Sequence, residues 1–476
     1  MTDVQNVIKN IQNIMRKDAG VDGDAQRLSQ LVWILFLKIF DDREKSHELI
    51  DPSYKSPIPE ELRWRSWASN PEGITGEELS QFIDKELFPK LKALSVRDEN
   101  SPAGIVRNVF ADSYNYMKNG TLIRQVINKI NDINFNKKDD RHQFGDIYEG
   151  LLKDLQSAGN AGEFYTPRPL TKFLVEMVDP KLGETILDPA CGTGGFLINA
   201  LEHVRASGSV PTQEEENELQ QSIRGVELKQ MPHALAVTNF MLHDVENPTT
   251  IRHDDMLAAK ALTEYGPSDR VDVVVANPPF GGVVADGVEK NFPAKYRTKA
   301  TELLFLVLIT HILKEGGRAG LVFPDGTLFG EGVSTEIKKH LLETCNLHTI
   351  VRLPQGVFNP YAGVNTNLLF FTKGEPTKDV WYYHMQLPEG MKQYTKGKPI
   401  KHNEFDVVRE WWNNREENGF AHKVSIEQIQ ERNYNLDFKN PNVDEKAETL
   451  SSVEIIAKID QTEQKVLKIL EMLKKQ

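Results

Sequence analysis

Two cysteines in 476 residues, Cys191 and Cys345, leave no CxxC pair. That excludes a thiolate zinc cluster and a disulfide framework, and it implies a reducing, cytoplasmic setting with no structural metal. Long hydrophobic runs are missing as well. The most apolar stretch, Leu31 to Phe40, is interrupted by Lys38. It is too short to span a bilayer, so it reads as a buried helix and no membrane contact is expected. The polar, mixed-charge segment Met1 to Lys17 shows no signal-peptide pattern. An excess of positive charge is also lacking, with 57 Lys and Arg against 69 Asp and Glu and a net charge of -12. Phosphate neutralisation supplies most nucleic-acid affinity, so this balance argues against a chain that grips nucleic acid unaided. It leaves room for a local basic groove or for a partner that shares the grip. Neither a GK[ST] phosphate loop nor a GxGxxG fingerprint occurs, and no internal repeat is evident.

What is present is a globular composition, 39% apolar and 26% charged, at a length that implies more than one domain. Residues 1–145 read as helical. Leu28, Leu31, Val32, Leu35, Phe36 and Ile39 recur at helical spacing, followed by a stretch rich in Pro and Trp (Pro57, Pro59, Trp64, Trp67) and further amphipathic segments. Residues 146–440 alternate short apolar runs with helical stretches. Strands are expected at Thr185–Leu187, Ile223–Val226, Val271–Ala276, Ala319–Phe323, Thr349–Leu353 and Leu368–Phe371, and helices at Gly195–Val204, Met231–His243 and Glu302–Leu313. Such alternation predicts βαβ units and a largely parallel sheet. The insertion Ala206–Gln221 reads as a solvated loop or helix extension, and the region after Lys373 is less regular. In residues 441–476, Ile456, Ile459, Val466, Leu470 and Leu473 form a heptad-like stripe broken by Glu463. That suits a terminal helix packed on another helix, within the chain or in a partner.

One glycine-rich turn stands out. Ile186-Leu187-Asp188-Pro189-Ala190-Cys191-Gly192-Thr193-Gly194-Gly195-Phe196 leaves a strand and opens a helix. Its glycines permit a tight turn and a close backbone approach to a ligand at the carboxyl end of a strand. Alone it fits many nucleotide binders. The next strand ends in Glu227, where a carboxylate can accept both hydroxyls of a ribose or simply face solvent. The third runs into Asp254 and Asp255. A carboxylate there can accept from an adenine amino group, and Asp255, followed by Met256 and Leu257, is preferred. Upstream, Gly162-Glu163-Phe164-Tyr165-Thr166-Pro167-Arg168 precedes a helix. It reads either as a simple helix start or as a segment closing over the ligand.

The Val-rich strand at 272–276 has the character of a central parallel strand and delivers Asn277-Pro278-Pro279-Phe280 at its end. Two prolines fix φ and remove two donors, leaving carbonyls to face a substrate. The Asn277 amide oxygen and the Pro278 carbonyl can together accept both hydrogens of one NH₂ group. An aromatic amine is a poor nucleophile because its lone pair is delocalised into the ring. Two acceptors favour pyramidal nitrogen and relieve the positive charge that develops as it attacks. Phe280 supplies a flat face for stacking a base flipped out of a duplex. The plain alternative is a rigid strand-to-loop turn.

Taken in order, EFYTPR, DPACGTGGF, GVEL, DML and NPPF resemble the N6-adenine DNA methyltransferases, and in detail the modification (M) subunits of type I restriction-modification systems. The likeness extends over nearly the whole chain, including Gly317–Pro324 and Val364–Phe371. It implies a Rossmann-like class I methyltransferase domain, α/β, with an all-helical N-terminal domain and a C-terminal helical tail. It implies S-adenosylmethionine as cofactor, held by Glu163, Phe164, Tyr165, Thr166, Pro167, Arg168, Asp188, Gly192, Thr193, Gly194, Gly195, Glu227 and Asp255, with Asn277, Pro278 and Phe280 catalytic. It further implies DNA as substrate, a specificity (S) subunit that reads the target, usually two M with one S, and a restriction (R) subunit that can join them. The tail would then pack on the S subunit. Cys191 occupies a variable slot and takes no catalytic role. Other enzymes that use NPP followed by an aromatic, acting on glutamine or on guanine N2 of ribosomal RNA, remain alternatives at this level. So does a silent scaffold that binds cofactor only to order a complex.

Overall fold

A computed structural model describes residues 3–99, 101–135, 148, 166–246, 248–359, 363–442 and 463. The expected boundary between 145 and 146, the residues Glu163, Phe164 and Tyr165, and the stripe from Ile456 to Leu473 lie outside the described residues.

Among the described residues up to 135 every regular element is helical. The longest helix, Asp24–Ile50, carries Leu31 to Phe40 buried on all sides, which explains a run too apolar for a one-sided helix. Lys38 is tolerated there because Asp42, one turn on, pairs with it. No helix among the described residues is long and apolar enough to cross a membrane.

The remainder is built on a nine-stranded sheet in the order β3-β2-β1-β4-β5-β7-β6-β8-β9. The strands are β1 Ile186–Asp188, β2 Ile223–Glu227, β3 Ile251–His253, β4 Val271–Ala276, β5 Leu313–Pro324, β6 Cys345–Arg352, β7 Thr366–Lys373, β8 Asp379–His384 and β9 Ala421–Ser425. β1 to β5 pair in parallel, as does β6 with β8. β7 inserts antiparallel between β5 and β6, and β9 is antiparallel to β8. The sheet is therefore mixed, more so than the βαβ pattern implied. Helices Gly195–Ala206 and Gln230–Leu242 follow β1 and β2, and Thr301–Ile312 runs into β5 without a break. The insertion after Ala206 forms a separate helix, Gln213–Ser222, because Thr212 and Glu215 close a capping box at its start.

Strand order reverses between β1 and β4, and such a switch point opens a crevice at the carboxyl ends. Leu187 pairs with Val274, so the turn after β1 and the segment after β4 emerge side by side. The helical region docks on Gln230–Leu242 at both of its ends. Gln230 donates to the Asn108 carbonyl, and the Arg43 guanidinium donates to the carbonyls of Met241, Val245 and Glu246.

Candidate functional site at the carboxyl edge of the sheet

The glycine turn is shaped by its neighbours. Gly192 and Gly194 have φ of +55° and +80°, where a side chain is strained. A Cβ on Gly194 would also come within 2.9 Å of the Phe240 ring. A Cβ on Gly195 would fall 1.3 Å from an Arg168 guanidinium nitrogen, so the absence of a side chain there gives the Arg168 guanidinium its place against the turn. Asn239 Nδ2 donates to the Thr193 carbonyl at 3.1 Å, which ties the turn to the helix Gln230–Leu242.

Two carboxylates back this turn. Glu227 is 7% exposed; its Oε2 accepts from Gly192 N at 2.9 Å and its Oε1 from Lys229 N at 2.7 Å. Burial lifts its carboxyl above the ordinary range against the pull of those two N–H groups. Asp188 is 1% exposed and accepts from Ala190 N at 3.1 Å. Burial, with the Glu227 charge beside it, raises its carboxyl further. Both groups gain from a ligand that donates hydrogen bonds or carries positive charge. The same burial and the two carboxylates push the Cys191 thiol up, away from the reactive thiolate.

After β3, Asp254 Oδ1 accepts from Asp255 N at 2.8 Å, while Asp255 Oδ1 accepts from Leu257 N and Ala258 N at 2.9 and 3.2 Å. Asp255 thus caps the turn, and both residues border the cavity.

At the end of β4, Asn277 Nδ2 donates to Thr166 Oγ1 at 2.9 Å. That bond fixes the amide orientation, and among the described residues the buried Asn277 Oδ1 has no hydrogen-bond partner. Thr166 does not cap the following helix, which starts from Pro167 with no side-chain cap bond. Its hydroxyl serves Asn277 instead.

A cavity of about 560 Å³ joins these features. Of the residues expected from sequence, Thr166, Arg168, Asp188, Gly192 and Thr193 border it. Gly195, Glu227, Asp255 and Asn277 complete the set. Pro167, Gly194, Pro278 and Phe280 do not line it. Gly194 faces the Phe240 ring, Pro278 is buried, and Phe280 packs on the core with its ring 6.0 Å from Phe358 at 73°. Sequence reasoning missed Thr301 and Phe305, which border the cavity, and Phe358, which packs against Phe280. No local pattern marks them, because tertiary folding alone brings them to the site.

Residues 139–449 match the N-6 DNA Methylase family, and residues 4–130 match the HsdM N-terminal domain. The chain belongs to the N-6 DNA methylase family. A relative, the type I restriction enzyme EcoEI methylase subunit of Escherichia coli, is 58% identical over 446 residues, 92% of this chain and 90% of that one. The EcoKI methylase subunit of E. coli strain K12 is 31% identical over 78% of this chain and 69% of its own length. The modification subunit of a putative type I restriction enzyme from Vibrio vulnificus YJ016 superposes with a TM-score of 0.82 at 42% identity, covering 94% of this chain and 98% of that one. A chain of a type I R-M system, solved for its complex assembly and conformational transition, gives 0.84 at 37% identity over 98% and 97%. This methylase is accordingly an adenine-specific DNA methyltransferase, the modification subunit of a type I restriction-modification system. Its fold is that of the S-adenosylmethionine-dependent methyltransferases.

Proposed function

We propose a division of labour in this methylase whose centre is the buried, unpartnered Oδ1 of Asn277, with Nδ2 held by Thr166. A lone acceptor beside a cavity is costly unless a donor arrives, and the N6 amino group of an adenine flipped out of the duplex is such a donor. Asn277 Oδ1 accepts one amino hydrogen and the Pro278 carbonyl the other. The nitrogen lone pair is thereby localised, and the charge it develops is stabilised. Phe280, with Phe358 at its edge, supplies the stacking face beside the cavity. No covalent enzyme intermediate is required.

The residues around the glycine turn fit S-adenosylmethionine. Gly192, Thr193 and Gly195 of the turn border the cavity, and Glu227 and Asp188 beside them want donors or positive charge. Glu227 is assigned to the ribose hydroxyls and Asp255 to the adenine amine. Thr166, Pro167 and Arg168, with Glu163, Phe164 and Tyr165 before them, are assigned to the methionine end. When bound, this cofactor supplies an electrophilic methyl group on a cationic sulfur.

Residues 1–145, 146–440 and 441–476 are taken as helical, catalytic and subunit-association units. The partners are DNA, a specificity subunit in a complex of two M with one S, and a restriction subunit, in the cytoplasm. The test is transfer of labelled methyl to DNA with and without the specificity subunit, followed by nucleoside analysis. N6-methyladenine, formed only by the pair, is the expected product. Label in cytosine or in protein would refute the reading.

A further inference from the structure

Only two ten-residue stretches of this acidic chain carry four Lys or Arg and no Asp or Glu, residues 290–299 and 392–401. They are built alike. In the first, Phe292 and Tyr296 are buried, while Lys290, Lys295, Arg297 and Lys299 are exposed. Asn291 Nδ2 donates to the Leu257 carbonyl at 3.0 Å, and Val284 N donates to the Lys299 carbonyl at 3.0 Å. Leu257 and Val284 both border the cavity, so this stretch is fastened to its wall at two points. In the second, Tyr394 and Ile400 are buried, while Lys392, Lys396, Lys398 and Lys401 are exposed. Tyr394 N donates to the Gln355 carbonyl at 3.0 Å, and Asn359 Nδ2 donates to the Tyr394 carbonyl at 2.9 Å. Between those two attachment points in sequence lies Phe358, whose ring meets Phe280.

Little within the chain uses these cations. Lys299 pairs with Asp286 at 2.6 Å, but the Asp286 side chain is 92% exposed, and a pair so open to water is weak and readily exchanged for a phosphate. Arg297 Nε donates to the Phe292 carbonyl at 3.1 Å, which orients the guanidinium without neutralising it. Among the described residues Lys290, Arg297, Lys392, Lys398 and Lys401 make no ion pair. Buried side chains thus fix each backbone while like charges gather outside it. Such charges repel one another in the free chain, and a polyanion laid across them relieves that repulsion.

We propose that the two stretches are the phosphate grip of this methylase, holding the duplex backbone next to the adenine that enters the cavity. The inference rests on the reading of DNA as the substrate. A flipped nucleotide stays joined to its neighbours in the strand, so their phosphates pass close to the cavity it enters. Cations fixed there position the strand without reading its sequence. Eight cations do not outweigh a net charge of -12, so the grip is local and the remaining affinity is left to the specificity subunit.

The experiment uses the methylase assembled with its specificity subunit and a duplex fragment that the native pair methylates. Lys290→Gln/Arg297→Gln and Lys392→Gln/Lys398→Gln are compared with Lys181→Gln/Lys314→Gln. The last two cations lie just before β1 and at the start of β5, the opposite edge of the sheet. Fluorescence anisotropy over a salt series reads DNA affinity and its salt slope. Turnover at saturating DNA, cofactor affinity and assembly with the specificity subunit are read beside them. Each basic-stretch variant is expected to bind DNA about tenfold or more weakly near physiological salt and to flatten the slope by about 2, or about 0.9 per cation removed. Turnover at saturating DNA and cofactor affinity should stay within about twofold, and the third variant should match the native pair. Unchanged affinity and slope in both basic-stretch variants overturn the proposal. So does an equal loss in the third variant, which would report net charge alone. Failure to assemble overturns it too, because these stretches would then face a partner protein. A native pair that methylates no DNA refutes the reading of the substrate itself; a native pair that does, with variants that bind as it does, refutes only the grip.

Discussion

Glu227 does two jobs that pull its proton in opposite directions. Its Oε2 and Oε1 accept from Gly192 N and Lys229 N, which favours the charged form, yet burial outweighs them and raises the carboxyl. Asp188 beside it is raised for the same reason and by the charge of Glu227. In the free folded chain these groups hold protons at a pH where the unfolded chain has lost them. They therefore remove stability as pH rises from the ordinary carboxylate range through the folded value. A cofactor whose hydroxyls donate to Glu227 prefers the ionised form and competes with that proton. Cofactor affinity is expected to be flat at high pH and to fall as pH drops through the raised folded value, by up to tenfold per unit for each proton displaced. Calorimetry across that range, repeated in buffers of different ionisation enthalpy, reads both the affinity and the proton released on binding. An affinity independent of pH, with no proton released, would remove Glu227 from the ribose site.

At the scale of elements, β4 was legible to the residue at Val271–Ala276, since a strand buried on both faces is a plain Val run. β1 and the turn behind it were legible because glycine at 192 and 194 reports left-handed backbone. β5 is read from Ala319 although it starts at Leu313, because Gly316, with φ of +77°, and Gly317 sit at an irregularity inside the strand and carry the signal of a turn. β8 and β9 fell in the stretch read as irregular, and the insertion of β7 between β5 and β6 is a matter of strand order that no local period encodes. Thr301 and Phe305 reach the site by the same long-range folding. Arg318 on β5 illustrates how such distant elements are locked together. Its Nε donates to the Val178 carbonyl at 2.6 Å and Nη2 to that of Asp179 at 2.7 Å, while the fork grips both oxygens of Glu184 at 2.6 and 2.8 Å. It caps the carboxyl end of the helix Arg168–Val178, whose other end carries Thr166 and Arg168 at the cavity. Arg318→Ala is expected to destabilise the chain by about 3 kcal/mol, with Arg318→Lys recovering less than half, since one ammonium cannot serve carboxylate and carbonyls together. Denaturant midpoints of the two variants decide it; a lysine variant equal to the native chain would show that charge alone matters there.

At the scale of the whole molecule, the catalytic edge of the sheet sits in a chain of net charge -12. Duplex DNA is a polyanion, and binding it means displacing counterions with cations supplied by the protein. A methylase that lacks surplus cations is expected to borrow them from a partner that reads the target sequence. The chain by itself is therefore expected to bind duplex DNA no tighter than about 10⁻⁵ M at physiological salt, without sequence preference. Assembly with the specificity subunit should tighten binding by at least about a thousandfold at the target and steepen its salt dependence. Fluorescence anisotropy over a series of salt concentrations, with the chain alone and with the assembled pair, gives affinity and slope in one experiment. Tight, sequence-specific binding by the chain alone would mean that target reading lies within this molecule, and a steep salt slope for the lone chain would mean that a basic groove on it outweighs the overall charge.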